Sequence, residues 1–211
     1  MQHVAIIGAG IGGLAAAMRL AHGGVKVTVL ECQATPGGKM RSLPSAAGMI
    51  DAGPTVLTMK PVFEALFCEV GCQLADYATL IQEDILARHF WCDGTRLDLM
   101  RDQQASLENV RHSFGAAAAA EFHSFSRDAQ YLFDRLNDPM MQSAAPALRR
   151  MIPVMLRSPG TVMRMDPLRS LAQSLVRRFS EPRLAQLFAR YATYIGGLPQ
   201  ASPALLALIW H

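Results

Sequence analysis

Charge is scarce in this sequence, and acidic charge almost disappears in its last third. Charged residues make up 18% of 211. From Pro146 to His211 there are nine arginines, no lysine, and only Asp166 and Glu181 as acids. The first 145 residues carry the opposite balance, 11 Lys/Arg against 15 Asp/Glu. No uninterrupted apolar run approaches the ~20 residues that span a bilayer. The longest candidate, Val4 to Leu30, is broken by glycines and Arg19. A secretory leader is not expected, on similar grounds. Only Gln2 and His3 stand between Met1 and Val4, with no cationic n-region and no A-x-A exit. The four cysteines (Cys32, Cys68, Cys72, Cys92) form no C-x-x-C, and no His/Cys group has zinc spacing, so no metal is expected. They read as reduced, mostly buried thiols of a cytosolic protein. His112 and His123 form no H-E-x-x-H and read as structural.

What is present is apolar and glycine-punctuated. Half the residues are hydrophobic, enough for a sizeable core. His3 to Ile7 is short, uncharged apart from its first residue and β-branched, as a buried parallel strand should be. Gly8, Gly10 and Gly13 then spell G-x-G-x-x-G. Gly8 permits the tight turn, Gly10 lets backbone approach a pyrophosphate, and Gly13 lets helix pack on strand. An Ala/Leu-rich helix follows and stops at Gly23-Gly24. Its N-terminus offers free N–H groups to phosphate. Lys26 to Glu31 is a second strand, and Glu31 stands where a carboxylate accepts from ribose hydroxyls. That carboxylate repels a 2′-phosphate, which leaves FAD or NAD. Gly37-Gly38, followed by Lys39 and Arg41, is a flexible cationic turn that can swing back over a pyrophosphate.

At this point the sequence resembles the flavin-dependent amine oxidase and carotenoid desaturase superfamily, which pairs the glycine motif and a Glu with a GG-[RK] turn. The resemblance selects FAD. Where relatives often carry arginine, Lys39 keeps the charge without bidentate geometry, and Arg41 can share the role. Asp51, Ala52, Gly53, Pro54 and Thr55 are similar to the D-x-G-P-T element of bacterial carotenoid desaturases, which in that family lies near the flavin ring. Gly53 and Pro54 suit a stiff, close backbone approach. Asp51 is read as structural, and no catalytic residue is assigned. Arg190 to His211 is similar to a segment of the 1-hydroxycarotenoid 3,4-desaturase branch, also called methoxyneurosporene or hydroxyneurosporene dehydrogenases. Those enzymes are much longer, so the sequence reads as an N-terminal fragment, inactive by itself.

The expected fold class is α/β. A Rossmann-like FAD-binding domain carries an inserted substrate-binding sheet and a helical subdomain, with a C-terminal part missing. The expected division is 1–72 for the cofactor part, 73–101 for substrate-region strands, and 102–211 for an Arg-rich helical subdomain. Lys60 to Gly71 reads as an amphipathic helix through Val62, Leu66, Phe67 and Val70. Asp93-Gly94 marks a hairpin. Asp102 caps a helix, and a second helix follows from Ala116 with Phe122, Phe125, Ala129, Leu132 and Phe133 as its apolar positions. Asp166-Pro167 and Glu181-Pro182 read as two further helix starts. Tyr191 and Tyr194 line a lipid tunnel or pack in the core.

The resemblance implies FAD-dependent dehydrogenation of a C–C bond in an acyclic hydroxylated or methoxylated carotenoid. The cofactor supplies the hydride acceptor that no side chain can, and oxygen or a quinone takes the electrons. The arginines either keep their heads wet over apolar stems or dock on an anionic membrane surface. The second option implies a cytoplasmic protein held peripherally at the inner or photosynthetic membrane. Nucleic acid is not expected, because no aromatic motif interleaves with the arginines. Three other readings stand beside this one: an amine-oxidase-like flavoprotein, a non-catalytic lipid carrier of the GDP-dissociation-inhibitor type, and an NAD-dependent Rossmann enzyme. An intact glycine signature argues against the carrier, and the GGK and GPT elements argue against NAD.

Overall fold

The computed structural model describes residues 2–54, 56–138, 152–153, 155–156 and 158–211. Thr55, Arg149, Arg150 and Arg157 lie outside the described residues. The chain forms two compact units, 1–82 and 83–211.

In the first unit, β1 (His3–Ile7) and β2 (Lys26–Leu30) pair in parallel, His3 opposite Lys26 and Ile7 opposite Leu30. The crossover between them is α1 (Ile11–His22). It ends where Gly24 adopts φ 79°, a left-handed conformation open to glycine. A hairpin follows, β3 (Ser42–Ser45) against β4 (Gly48–Asp51). Then comes α2 (Lys60–Glu69), with Pro61 in its first turn. On α2 the half-buried positions are Phe63, Leu66 and Phe67, with Val70 half-buried at its C-cap. Val62 is exposed at 45%, which corrects the expected apolar stripe by one residue. The Arg19–Glu69 ion pair, 2.6 Å, joins α1 to α2.

The second unit begins with the hairpin β5 (Ile85–Phe90) and β6 (Arg96–Met100), antiparallel with His89 opposite Leu97. Its turn is closed by the Asp93 side chain accepting from the Thr95 amide at 2.9 Å, with Gly94 at φ 83°. Next is α3 (Gln103–Leu136), capped by Asp102 accepting from the Ala105 amide. Gly115, at φ 90° and ψ 175°, breaks it into the two expected segments. The Ala116–Ala120 run is helical, and Ala118 and Ala119 are buried within it. Then come α4 (Pro159–Met165), α5 (Leu171–Arg178) and α6 (Pro182–Ala189). Tighter 3-10 turns follow at Arg190–Ile195 and Ala204–Trp210. Glu181 caps α6, as its sequence position suggests, by accepting from the Arg183 amide. Asp166 does not start a helix. It ends α4 in a left-handed conformation, φ 48°, and α5 is instead opened by a reciprocal capping box between Ser170 and Gln173. That box satisfies two orphan amides, where Asp166 as a cap would satisfy one.

Of two buried clusters in this unit, the smaller joins Leu132, Leu136, Met165 and Leu208, and the larger is aromatic and aliphatic, from β6, α3, α5 and α6. Leu97, Leu99, Val110, Phe122, Phe125, Leu184 and Phe188 are all nearly inaccessible. Phe188 sits at its centre, with ring centroids 4.5 Å from Phe125, 5.5 Å from Phe179 and 5.3 Å from Trp210. Tyr191 is buried against Phe188 and Trp210, while Tyr194 is 63% exposed.

The four thiols are free, but the expectation that most are buried is wrong. Cys32, Cys68 and Cys92 are exposed and Cys72 is half-buried. Cys32 and Cys92 occupy loops after strands, and Cys68 lies on α2.

Candidate functional site

The loop from Ile7 to Ile11 closes tightly. The Gly8 amide donates to the Leu30 carbonyl at 2.7 Å, bringing the first turn against the end of β2. Gly8 holds φ 97°. A Cβ at Gly13 would overlap the Gly8 carbonyl oxygen, so helix and loop meet at a distance that only glycine allows. Gly10 is the N-cap of α1, without a side-chain cap, and no acid stands in the first turn. The first helical hydrogen bond runs from the Leu14 amide to the Gly10 carbonyl at 2.9 Å. Among the described residues the amides of Ile11, Gly12 and Gly13 have no acceptor. They form an uncompensated donor cluster at the positive end of the helix dipole.

Glu31 is bound into this loop. One carboxylate oxygen accepts from the Ala9 amide at 2.7 Å and the other from the Gln33 amide at 2.9 Å. The Gln33 amide, then the Ala9 amide and the Cys32 thiol, hold the Glu31 carboxyl below its usual range. Glu31 is therefore ionised at neutral pH. Its Oε2 ties the strand tip to the loop and keeps a second lone pair for another donor, while Oε1 accepts from both the Gln33 amide and the Cys32 thiol.

The Gly37-Gly38 turn does fold back onto the helix start. The Gly37 amide donates to the Ala9 carbonyl at 2.9 Å. A Cβ on Gly38 would stand 3.0 Å from the Gly10 Cα, and Gly38 holds φ 62°. Lys39 and Arg41 follow directly, and among the described residues neither makes an ion pair. The next element is pinned to the same turn. The Ala52 amide donates to the Arg41 carbonyl at 2.8 Å, and a Cβ on Gly53 would overlap the Lys39 carbonyl. Asp51 accepts from the Ser42 hydroxyl at 2.8 Å, a cross-strand role within the hairpin.

The structure thus brings Gly8, Gly10, Gly13, Glu31, Gly37, Gly38, Lys39, Arg41 and Gly53 into one locality. Pro54 follows Gly53 in the same loop. Two couplings were not legible in the sequence. One is Glu31 bound to Ala9. The other is Gly53 bound tightly to the GGK turn, which gives it a close approach to backbone as well as the suggested approach to a ring. The only advance signal was the small-residue composition of both loops. Free amides at a helix start, two unpaired cations nearby and a carboxylate at the strand tip fit a dinucleotide's pyrophosphate and ribose.

Comparison with known proteins is consistent with this geometry. The family model for flavin containing amine oxidoreductase matches residues 11–210. Among curated relatives, the hydroxyneurosporene desaturase of Cereibacter sphaeroides is 46% identical over 207 residues, 98% of this chain and 42% of its own length. The hydroxyneurosporene desaturase of Rhodobacter capsulatus is 44% identical, covering 99% of this chain and 42% of that protein. The phytoene dehydrogenase of Streptomyces griseus is 34% identical over 99% of the chain and 41% of its own. The chain therefore spans about two fifths of the length of these relatives. Among solved structures, wild-type putrescine oxidase bound to putrescine superposes with a TM-score of 0.58 at 18% identity, over 99% of this chain and 41% of that one. That match carries the fold alone.

Proposed function

The chain belongs to the flavin containing amine oxidoreductase family, and on that premise we propose FAD-dependent desaturation of a C–C bond in an acyclic hydroxylated or methoxylated carotenoid. The observation that carries this reading is 46% identity to a hydroxyneurosporene desaturase across 98% of the chain, with the phosphate loop of the family intact. When bound, the flavin supplies a two-electron acceptor. The residues of this chain bind and orient it. The free amides of Ile11, Gly12 and Gly13 meet the pyrophosphate, Lys39 and Arg41 neutralise it, and Glu31 accepts from ribose. The Gly53-Pro54 loop borders the same turn; Thr55, suggested by the sequence, lies outside the described residues. An intact glycine loop speaks against a non-catalytic lipid carrier, which has no need of it.

The partners follow from the substrate. A carotenoid dissolves in a bilayer, so the reading includes peripheral docking on an anionic membrane from the cytoplasmic side, with oxygen or a quinone as final electron acceptor. The support lies in exposed apolar residues beside arginines: Met163 (83%) by Arg164, Leu168 (92%) by Arg169, and Val176 (71%) by Arg177. Among the described residues Arg177 has no ion pair, whereas Arg164 and Arg169 are matched by Asp128 and Asp166. No described helix is long and apolar enough to cross a membrane.

The test is the visible spectrum of the full-length protein, expressed with membranes and supplied with hydroxyneurosporene. A bound-flavin spectrum and a carotenoid absorption moving to longer wavelength are expected. Gly10→Val should abolish flavin retention, because its side chain would enter the space beside Gly38. Normal retention in that variant overturns the cofactor site. Leu168→Ser and Arg177→Ala should weaken sedimentation with anionic vesicles, the arginine change in a salt-dependent way.

A further inference from the structure

Outside the phosphate loop, the second unit contains a cleft of about 240 Å³ between β5 and α6, lined by His89, Phe90, Trp91, Gln186, Leu187 and Arg190. Its walls are largely aromatic and aliphatic, and its polar groups are incompletely matched. His89 lies on β5 opposite the buried Leu97, and its Nε2 is buried without a hydrogen-bond partner among the described residues. Gln186 accepts from the Trp91 indole N–H at 3.1 Å through its Oε1, which leaves its amide nitrogen, with two donors, free among the described residues. Trp91 is held by an edge-on contact with Phe114, centroids 5.7 Å apart, so the indole that orients Gln186 is itself fixed. Burial, and then the Arg190 charge, hold the His89 imidazole below its ordinary value. The ring is neutral near pH 7, with one nitrogen donating and the other accepting.

A buried ring nitrogen without a partner among the described residues, lining one cleft with the Gln186 amide and with the Arg190 guanidinium that lies 5.4 Å from the Tyr191 ring, suits a group that both donates and accepts hydrogen bonds on an apolar stem. A hydroxyl does this, and a methoxy oxygen can use the donors alone. An amine would meet Arg190 with no carboxylate in the lining to offset it. We propose that this cleft holds the oxygenated end of the carotenoid, with His89 and Gln186 as specificity-determining residues. The identity of the ligand rests on the carotenoid reading above; the hydrogen-bonding chemistry of the cleft does not.

The test is calorimetric titration of the full chain with three short isoprenoid probes: a tertiary alcohol, the hydrocarbon of the same skeleton, and the corresponding carboxylic acid. The alcohol should bind about tenfold more tightly than the hydrocarbon. His89→Phe should remove that preference while leaving hydrocarbon binding in place. Gln186→Leu should reduce it too. Gln186 is an exposed residue whose replacement leaves the core untouched, so it carries the same reading if the His89 variant fails to fold. Equal binding of alcohol and hydrocarbon, tighter binding of the acid, or an alcohol preference that survives both substitutions overturns the proposal. None of these titrations needs turnover. An intact alcohol preference, with a full-length protein that leaves hydroxyneurosporene unchanged, would sink the desaturase reading and leave the cleft standing.

Discussion

The two compact units are held together by different physics. Residues 83–211 bury a continuous core of more than a dozen apolar side chains. In residues 2–82 only Ala9 and Leu74 are buried hydrophobics among the described residues, and Ile7 is 89% and Leu30 54% exposed. That first unit is shaped by backbone hydrogen bonds and glycine contacts: Gly8 to Leu30, Gly37 to Ala9, Gly13 on Gly8, Gly53 on Lys39. Within this chain, which spans about two fifths of its relatives' length, binding geometry and hydrophobic burial fall in different units. The unit that presents donors to a cofactor draws little on hydrophobic burial, and the unit that draws on it most carries the apolar cleft and the exposed Arg-flanked residues.

Substitutions can break that contrast. The largest effect is expected for Phe188→Ala, which removes the ring common to the Phe125, Phe179 and Trp210 contacts and should cost ~3–5 kcal/mol. Hydrogen exchange should report the loss across 83–211 and leave 2–82 unchanged; equal loss in both would join what the comparison separates. Gly13→Ala should cost ~2 kcal/mol through overpacking against the Gly8 carbonyl. Its exchange signature should stay within 2–82, with flavin retention lost. Asp102→Ala should cost ~1 kcal/mol by removing the cap of α3, read from denaturant midpoints.

The smallest effect concerns acid. Asp98, hydrogen-bonded and ion-paired first to Arg88 and then to Arg96, titrates down at about 2. A carboxyl lowered in the folded state stabilises above its unfolded value of ~3.9, and that contribution fades as pH falls through about 2. With both arginines partly solvated it is under ~1 kcal/mol at neutral pH. Asp98→Asn should flatten the acid limb of the stability profile between pH ~4 and ~2 in the second unit, and an unchanged limb would remove Asp98 from that account.

Much of the cofactor unit could be read in advance because its signals are local. The G-x-G-x-x-G spacing, the acid at Glu31 and the Gly-Gly-Lys turn each act within a few residues. The hairpin at Asp93-Gly94 and the caps Asp102 and Glu181 were legible for the same reason. Asp166 misled because Asp-Pro is a start signal in sequence, whereas the chain there needed a left-handed stop before the Ser170 box. The basic last third looked like a free cationic patch. In the folded chain Arg164 and Arg178 share Asp128, and Arg183 bridges Asp93 and Glu181. Most of those acids come from the acid-rich residues before it, and no window along the sequence could show that pairing.

By itself, the order of residues determined a parallel strand–helix–strand with glycines where backbone must approach backbone, and an acid at the second strand's tip. These depend on φ, on the missing Cβ and on short spacing, all of which are properties of neighbours in the chain. Tertiary structure alone decided which arginines keep a free charge, where the GGK turn and Gly53 meet, and that His89, Trp91 and Gln186 share one cleft. The arginine pairs with Asp128 and Asp93, and the cleft, bring together groups 36 to 95 residues apart, and burial of the second unit's core offsets the entropy of doing so. The GGK turn meets Gly53 through close backbone contact 14 residues along the chain.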